Sequence, residues 1–268
     1  MDEVLYAGWR EALESQWGDA NHGRFLYTWN HDENGNNGLT FWYEKIHARY
    51  GFRWKHPVHE IIVPDRTSEK WVDVKGFELH HFADPTKSRA QYLDLLALSV
   101  QEDPHNDRNA FYYARELTFY SRWDEAIAAL EKYLAMPEGT WPNERSYAMR
   151  LLGRCHEETN GDPLYWYRRA CAEAPQTREA WRDLAMCCYR RGIWQECYSS
   201  AANGLAIKNK ELVYTMDPSV WGHELHDLAA ISAYHLGMKE EAIKQGQLAI
   251  DLNPGNERLI KNLELYKE

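Results

Sequence analysis

The chain has 268 residues, with 31 lysines and arginines against 41 aspartates and glutamates, and a formal net charge of -10. Phosphate backbones are bound chiefly by excess positive charge, so this balance argues against nucleic acid or an anionic membrane as a general partner. No run approaches the roughly 18 apolar residues of a membrane span, and Asp2 and Glu3 are untypical of a signal peptide. The five cysteines form no Cys-x-x-Cys pair, which predicts buried free thiols in a reduced, cytoplasmic setting.

The first 82 residues predict one helix followed by about five short strands. Residues 2–17 have the spacing of an amphipathic helix. Its apolar positions are Val4, Leu5, Trp9, Leu13 and Trp17. Alternating or apolar runs separated by turn residues then predict the strands, at 24–30, 39–50, 52–64 and 77–82. Because so few strands do not close a core of their own, we expect this part to need a partner surface.

From about Lys87 onward the pattern is helical and repetitive. In the segments 111–137, 179–207 and 226–254, a small residue in a first helix is followed twelve positions later by another in a second helix. These pairs are Ala114 and Ala126, Ala185 and Cys197, and Ala230 and Ala242. Two antiparallel helices approach closely only where small side chains face each other, so the fixed interval predicts the crossing of a helical hairpin.

Turn and end signals support the same repeat. Gly192 and Gly237 fall between the two helices, where glycine adopts positive φ easily. Proline cannot continue a helix, so the second helices are predicted to close at Pro137, Pro175 and Pro254. A fourth pair spans 143–175 with a shortened turn, an insertion spans 208–221, and 256–268 predicts a capping helix. The pattern resembles a tetratricopeptide-repeat (TPR) array of about four hairpins.

The sequence therefore predicts an α+β fold that is mainly α. Residues 1–82 form a small strand-containing subdomain, and residues 83–268 form a TPR-like helical solenoid. One hypothesis for the solenoid is a groove that docks a peptide or a partner protein. The aromatic residues expected to line it, some of which must instead be core, are Tyr112, Tyr113, Trp166, Tyr189 and Tyr234. A solenoid flank that self-associates into a homodimer is a further alternative.

The first half resembles the acceptor side of bacterial and phage family 2 glycosyltransferases with a C-terminal TPR tail. The resemblance covers nearly the whole chain and rests on Asp2-Glu3, on the Trp-x-x-Pro-Val-His-Glu stretch at 54–60 and on the Lys-Ser-Arg-x-x-Tyr helix start at 87–92. In that family a nucleotide-sugar fold ends its metal-binding strand in Asp-x-Asp-Glu. The resemblance therefore implies the C-terminal portion of an inverting transferase, inactive alone, whose nucleotide-binding half is absent. A missed upstream start, a split gene or a deliberate truncation would each produce such a chain.

The resemblance also implies site residues for the complete enzyme. Such sugar transfer needs a divalent metal on the departing diphosphate, a carboxylate base and a pocket closed to water. Asp2, His59 and His81 would hold Mn²⁺ or Mg²⁺, and the alternative is that this chain binds no cofactor. Glu60 and His59 are the candidate catalytic residues. The candidate substrate-binding residues are Arg53, Trp54 and Trp42.

Structural alternatives stay open for these residues. Neighbours on a strand point to opposite faces, so His59 and Glu60 serve one site only if the strand ends or bulges there. The same reasoning applies to His80 and His81. The implied partners of the complete enzyme are a nucleotide-sugar donor and a glycan, lipid-linked or protein acceptor. The alternative function is a TPR interaction or scaffold protein without catalytic activity.

One further cluster has metal-ligand spacing. His223, His226 and Asp227 stand at i, i+3 and i+4, which places them on one side of a helix. No fourth ligand accompanies them in the sequence. We therefore interpret them as the N-terminal turn of the first helix of the last repeat.

Overall fold

A computed structural model describes residues 2–84 and 91–268 of the chain. Lys87, Ser88 and Arg89 of the predicted helix start lie outside the described residues. The chain divides into two compact units, the first comprising Met1–Pro104 and Glu211–Met216 and the second comprising His105–Lys210 and Asp217–Glu268. The predicted domain boundary between residues 82 and 83 stays a prediction.

Six strands and two helices make up the described part of the first unit. The strands are β1 (Glu3–Leu5), β2 (His22–Thr28), β3 (Thr40–His47), β4 (Phe52–Lys55), β5 (Ile61–Pro64) and β6 (Trp71–His81). The helices are α1 (Trp9–Trp17) and α2 (Tyr92–Glu102). Four strands form a sheet in the order β1-β6-β2-β3, in which β6 runs antiparallel to β1 and parallel to β2. Strands β4 and β5 form a separate antiparallel pair.

Two sequence predictions for this unit were wrong in their boundaries. The helix predicted over 2–17 begins only at Trp9, because Gly8 has a left-handed backbone with φ of 87° and residues Glu3–Leu5 pair with β6 instead. The run 52–64 is two strands and not one. His56 and His59 have positive φ angles of 76° and 52°, which reverse the chain between β4 and β5.

The first unit has a small hydrophobic core, which corrects the expectation that its strands need an outside surface. Phe25 and Tyr27 of β2 and Val74 and Phe77 of β6 are buried together. Helix α1 packs Trp9, with its neighbours Ala12 and Leu13, against this cluster. One amphipathic helix on one face of the sheet therefore supplies the second layer that a core requires.

The second unit consists of four helical hairpins and a final helix. The hairpins are α3/α4 (Asp107–Phe119, Trp123–Leu134), α5/α6 (Pro142–Glu158, Pro163–Glu173), α7/α8 (Arg178–Arg190, Trp194–Ala206) and α9/α10 (Glu224–His235, Lys239–Leu252). The final helix is α11 (Glu257–Lys267). The predicted TPR-like solenoid of about four hairpins with a capping helix is confirmed. Among the described helices, none is long and apolar enough to cross a membrane.

Small residues mark the helix crossings as predicted. Ala114 and Ala126 are fully buried in the first hairpin, as are Ala185 and Cys197 in the third. The second hairpin uses a glycine that the sequence pattern did not single out. A methyl group placed on Gly153 would lie 2.6 Å from the ring of Tyr167 in α6, so only glycine allows this close approach of α5 and α6.

All five cysteines are free and buried, as the sequence predicts. Burial raises the pKa of Cys155, Cys187 and Cys197 to about 11 and that of Cys188 to about 12. Burial likewise raises the pKa of Cys171. The thiols therefore stay protonated at neutral pH and act as small apolar side chains of the repeat core.

Replacing Gly153 with alanine should destabilise the protein by about 1–3 kcal/mol, because the added methyl group overlaps the buried ring of Tyr167. Urea denaturation followed by circular dichroism measures the change. Gly246→Ala is the matched control, since a methyl group there would lie 3.3 Å from Leu263 and from the ring edge of Tyr266, a much longer distance than at Gly153. Equal loss of stability in both variants would contradict the assigned role of Gly153.

Candidate functional site

The first helices of the hairpins form one continuous face of the second unit. Helix α3 contacts α5, α5 contacts α7, and α7 contacts α9, whereas the second helices of neighbouring hairpins come less close. A stack whose elements are closer on one side bends toward that side, as repeat solenoids do. The surface of α3, α5, α7 and α9, called here the first-helix face, is therefore the inner face of the solenoid.

Ion pairs join successive helices along most of the first-helix face. Arg150 of α5 donates to Asp183 of α7 at 2.6 Å. Arg182 of α7 donates to Asp183 at 2.7 Å and to both Asp217 and Glu224 at 2.8 Å. These contacts connect α5, α7, α9 and the turn before α9. We call the five residues the ion-pair network.

Burial and charge act in opposite directions on the members of this network. Burial disfavours the charged form of Arg182, whose side chain is 16 % exposed, but three neighbouring carboxylates outweigh it and raise its pKa. Burial also tends to raise the pKa of Asp217, yet hydrogen bonds from Ser219 and the charge of Arg182 hold it below the ordinary value. Arg182 and Asp217 are therefore ionised at neutral pH, and each of them has a charged partner.

The other end of the first-helix face has a different character. Helices α3 and α5, with the start of α4, bring guanidinium groups and aromatic rings together there. We call this surface the arginine–aromatic patch; it comprises Tyr112, Arg115, Phe119, Trp123, Tyr147 and Arg154. Its rings do not all belong to the core, since the side chain of Phe119 is 52 % exposed and that of Tyr147 is half-buried.

The two guanidinium groups of the patch lie over aromatic rings. The Cζ atom of Arg115 is 4.5 Å from the ring centroid of Tyr112 and 5.7 Å from that of Phe119. The Cζ atom of Arg154 is 5.7 Å from the ring centroid of Trp123. Cation–π contacts of this kind hold a guanidinium in place without neutralising its charge.

Within the described residues, neither Arg115 nor Arg154 has a carboxylate partner. This separates them from Arg145, which donates to Glu173 at 2.6 Å, and from Arg190, which donates to Glu157 at 2.6 Å. The Nε atom of Arg115 is buried and has no hydrogen-bond acceptor in the described part of the chain. The patch therefore holds positive charge that the described part of the protein leaves uncompensated.

Sequence reasoning named Tyr112 but missed the other members of the patch. A readable signal existed, because Arg108, Tyr112, Arg115 and Phe119 stand at i, i+4, i+7 and i+11 in α3. Asn143, Tyr147, Arg150 and Arg154 repeat that spacing in α5. Positions spaced in this way share one side of a helix.

The remaining predicted groove aromatics lie in varied places. Trp166 is buried in the second helix α6, where it stacks on His156, so it belongs to the core. Tyr189 contacts Trp194 of α8 edge-on. Tyr113 is half-buried in α3, and Tyr234 of α9 is 37 % exposed and contacts Tyr266. The sequence-based expectation that some of the set are core is confirmed.

The predicted catalytic pair His59–Glu60 lies between two strands and not on one. His59 has a left-handed backbone in the turn before β5, and its ring meets that of Tyr92 edge-on at 5.9 Å. Glu60 has an exposed side chain, and its backbone carbonyl accepts a hydrogen bond from Lys45. Both residues therefore lie outside the paired strands, and their service of one site stays a prediction.

The predicted metal ligands are not assembled into a ready site. The backbone carbonyl of Asp2 accepts from the amide of Phe82 at 2.6 Å, and the Nδ1 atom of His81 lies 2.9 Å from the carbonyl of Trp29. Across residues 2–84 and 91–268, no group of three histidine, cysteine or acidic side chains is placed to hold a metal ion. Asp2, His59 and His81 belong to no such group among the described residues, and their role as ligands stays a prediction.

His80 differs from its neighbour on β6. It is 2 % exposed, stacks on Tyr6 at 4.0 Å, and its Nδ1 atom lies 2.9 Å from the Nε2 atom of His31. His81 instead stacks on Trp29 at 4.7 Å. Each imidazole thus has its own aromatic partner.

The predicted substrate-binding residues lie in the first unit. Arg53 and Trp54 are exposed on β4. The ring of Trp54 contacts the ammonium group of Lys45 at 4.5 Å. Trp42 of β3 donates its backbone amide to the carbonyl of Leu212 at 3.2 Å, a contact within the same unit.

The cluster at His223 is structural, as predicted. Helix α9 begins at Glu224, so these residues form its first turn. His226 hydrogen-bonds Gln245 at 2.7 Å, and Asp227 pairs with Arg258 of α11 at 2.7 Å. Burial lowers the pKa of His226, which favours its neutral form.

Comparisons with known proteins concern the helical part. No protein-family model matches the chain, and no curated protein sequence matches it. Among solved structures, YrrB, described as a TPR protein with an unusual peptide-binding site, is 16 % identical, with 65 % of this chain and 83 % of that chain covered and a TM-score of 0.49. MamA is 14 % identical (62 % and 83 % covered, TM-score 0.47), and PilF of Pseudomonas aeruginosa is 14 % identical (65 % and 71 % covered, TM-score 0.49).

At sequence identities this low, similarity to a solved structure concerns only the arrangement of the helices. The hairpins, their small-residue crossings and the capping helix define the second unit as a TPR-like solenoid. The comparisons give no support to the resemblance of the first unit to family 2 glycosyltransferases.

Replacing Arg182 with methionine should destabilise the protein by about 3 kcal/mol or more, because it leaves Asp217 and Glu224 without their shared cation. Urea denaturation at neutral pH measures the loss. Arg122→Met is the control, since its ion pair with Glu125 is exposed to water and should contribute little to stability. A similar loss in the two variants would show that the ion-pair network does not stabilise the solenoid.

Proposed function

We propose that the protein is an interaction module whose first-helix face docks an extended segment of another protein. The observation that carries this proposal is the arginine–aromatic patch, where the exposed ring of Phe119 lies beside guanidinium groups that no described carboxylate compensates. Tyrosine, tryptophan and arginine are the residue types that dominate binding energy at protein interfaces. The inner face of a helical-repeat solenoid is the surface that such proteins commonly use for partners.

The ion-pair network differs from the arginine–aromatic patch in that its charges are already paired, and this difference supports the proposed docking surface. Between α5 and α9 the charges of the first-helix face already pair with one another, so a partner gains little there. At α3 and α5 the polar groups of Arg115 and Arg154 are available, and the aromatic rings give apolar area beside them. Docking is therefore expected at the first two hairpins.

The test is selection of unstructured twelve-residue peptides against the full chain, followed by amide hydrogen exchange of the complexes. We expect bound peptides to slow exchange in α3 and α5, and Phe119→Ala to weaken binding at least tenfold, because it removes the exposed ring that lies beside Arg115. Tyr165→Ala is the matched control, since Tyr165 is 50 % exposed on the second helix α6. Protection confined to other helices, or equal effects of the two variants, would overturn the proposal.

A second candidate, the C-terminal portion of a glycosyltransferase, is favoured by one observation. In the described part of the sheet, β1 is an edge strand paired with β6 alone. The amide of Phe82 bonds Asp2 and the amide of Tyr6 bonds Glu78, so by antiparallel alternation the backbone groups of Glu3 and Leu5 point away from β6. Such an edge accepts a further strand, as a larger nucleotide-sugar fold would require.

Under that candidate the residues keep the roles that the resemblance implies for a complete enzyme. Asp2 and His81 would belong to its metal site, His59 would join the metal or the reaction, and Glu60 would be the base. Arg53, Trp54 and Trp42 would contact the substrate. These roles await a donor-binding half and are offered as proposals.

Calorimetric titration with UDP- and GDP-sugars in Mn²⁺ separates the candidates. We expect no micromolar binding by the 268 residues, because the described elements offer no glycine-rich phosphate loop or parallel-stranded donor cleft. A micromolar dissociation constant that Asp2→Asn abolishes would favour the transferase. His223→Gln, at a histidine in the repeat part, is the matched control and should change nothing.

A further inference from the structure

We propose that the segment docked by the arginine–aromatic patch is acidic, with two carboxylates that pair with Arg115 and Arg154. This inference rests on the proposed function and adds the chemistry of the partner to it. The argument is one of charge complementarity. The chain carries ten more acidic than basic side chains, yet in its described residues it places no carboxylate against either guanidinium group.

The lack of a described carboxylate beside Arg115 and Arg154 is informative because a nearby arginine on the same helices has one. A carboxylate is within reach of a neighbouring arginine on the same face, as the bond of Arg150 to Asp183 shows. An arginine without a carboxylate partner in its own protein keeps its full charge, and its N–H donors can bond an acceptor from another molecule. The Nε atom of Arg115 also has no acceptor among the described residues, but it is buried, so an outside carboxylate would meet the outer N–H groups of this side chain.

The spacing of the two arginines suggests the spacing of the carboxylates. Phe111 and Tyr147 contact each other at 5.8 Å and so set the register of α3 against α5. Arg115 follows Phe111 by four residues, and Arg154 follows Tyr147 by seven. With helices about 8–10 Å apart and a rise of about 1.5 Å per residue, the two positions are roughly 10 Å apart. In an extended polyproline II conformation, which rises about 3.1 Å per residue with three residues per turn, side chains three residues apart lie on one side of the segment and about 9 Å from each other.

The aromatic rings set the character of the residues between the carboxylates. The ring of Trp123 lies beside Arg154, and that of Phe119 lies beside Arg115. A ring or aliphatic side chain of the partner can pack on them while its carboxylates bond the guanidinium groups. Each charged pair would then form next to apolar surface, where it is less exposed to water than on open surface.

Broad polyanions fit this surface less well than a short acidic segment does. Binding of nucleic acid or an anionic membrane relies on many cations at once. Here two guanidinium groups stand on a chain of net charge -10. Long polyanions would be repelled by the rest of such a surface.

The experiment uses the full chain and a fluorescent twelve-residue peptide of glycine and serine that carries the sequence Glu-Ser-Tyr-Glu at its centre. Fluorescence anisotropy gives its dissociation constant, beside those of the same peptide with both Glu replaced by Gln or by Lys. We expect the Glu peptide to bind at least tenfold more tightly than the Gln peptide, and its affinity to fall as salt is raised.

Charge reversal locates the effect. The double variant Arg115→Glu/Arg154→Glu should lose at least a hundredfold in affinity for the Glu peptide and should gain affinity for the Lys peptide. Arg169→Glu is the matched control, because Arg169 is exposed on α6 and lies over Trp166 at 5.2 Å, in the same cation–π manner but outside the patch. Circular dichroism checks folding, and Arg115→Gln/Arg154→Gln replaces the double variant if the latter does not fold.

The outcomes separate this inference from the proposed function. If the Gln peptide binds as tightly as the Glu peptide and protects α3 and α5, the face docks peptides but the acidic assignment is wrong. If neither these peptides nor any selected peptide binds, both proposals fail. If Arg169→Glu weakens binding as much as the double variant does, Arg115 and Arg154 are not the residues that bind the carboxylates. If an oligonucleotide or anionic vesicles bind more tightly than the Glu peptide, the partner is not an acidic protein segment.

Discussion

Neutralisation of guanidinium groups that are partly removed from water is the constraint on which the first-helix face depends. A buried cation is tolerated only when its partners offset the hydration it has lost. Arg182 meets this condition with carboxylates from its own helix, from α9 and from the turn before α9. A single side chain thereby fixes how α7 meets the next hairpin, in addition to the apolar contacts between them.

The same requirement divides the face into two functional parts. Between α5 and α9, each charged side chain of the ion-pair network has an oppositely charged partner that holds it in place. Where the network ends, at α3 and α5, Arg115 and Arg154 are positioned by rings and not by counter-charges. Cation–π contacts orient a guanidinium group while its N–H donors remain directed elsewhere. The end of the network is thus also the place where a partner can contribute most.

The sequence was most informative where one physical requirement recurs at a fixed interval. Small residues twelve positions apart, as at Ala114 and Ala126, must face each other in a close helix crossing, and this predicted three of the four hairpins directly. The second hairpin needed Gly153 opposite a large ring, a solution that no interval reveals. In the first unit, Gly8 and the turn between β4 and β5 overrode the hydrophobic periodicity, since local φ angles decide where an element begins.

Long-range pairs account for what the sequence did not disclose. Arg150 and Asp183 are 33 residues apart, and nothing in either local pattern predicts that they bond. The patch escaped notice for the same reason, because its character depends on which arginines obtain a carboxylate and which do not. The cluster His59–Glu60 attracted attention by composition, but composition did not reveal that His59 lies in a turn against Tyr92.

The lone donor of Arg115 joins stability to binding. A buried N–H group without an acceptor costs about 1–3 kcal/mol relative to one that is bonded. The free protein carries that cost as long as no partner is present, and the cation–π contacts of Arg115 offset it in part. A ligand carboxylate that draws the guanidinium group outward would remove the same cost on binding. A residue that is unfavourable in the free protein and favourable in a complex serves recognition and not folding, which is the physical basis for assigning the patch a partner.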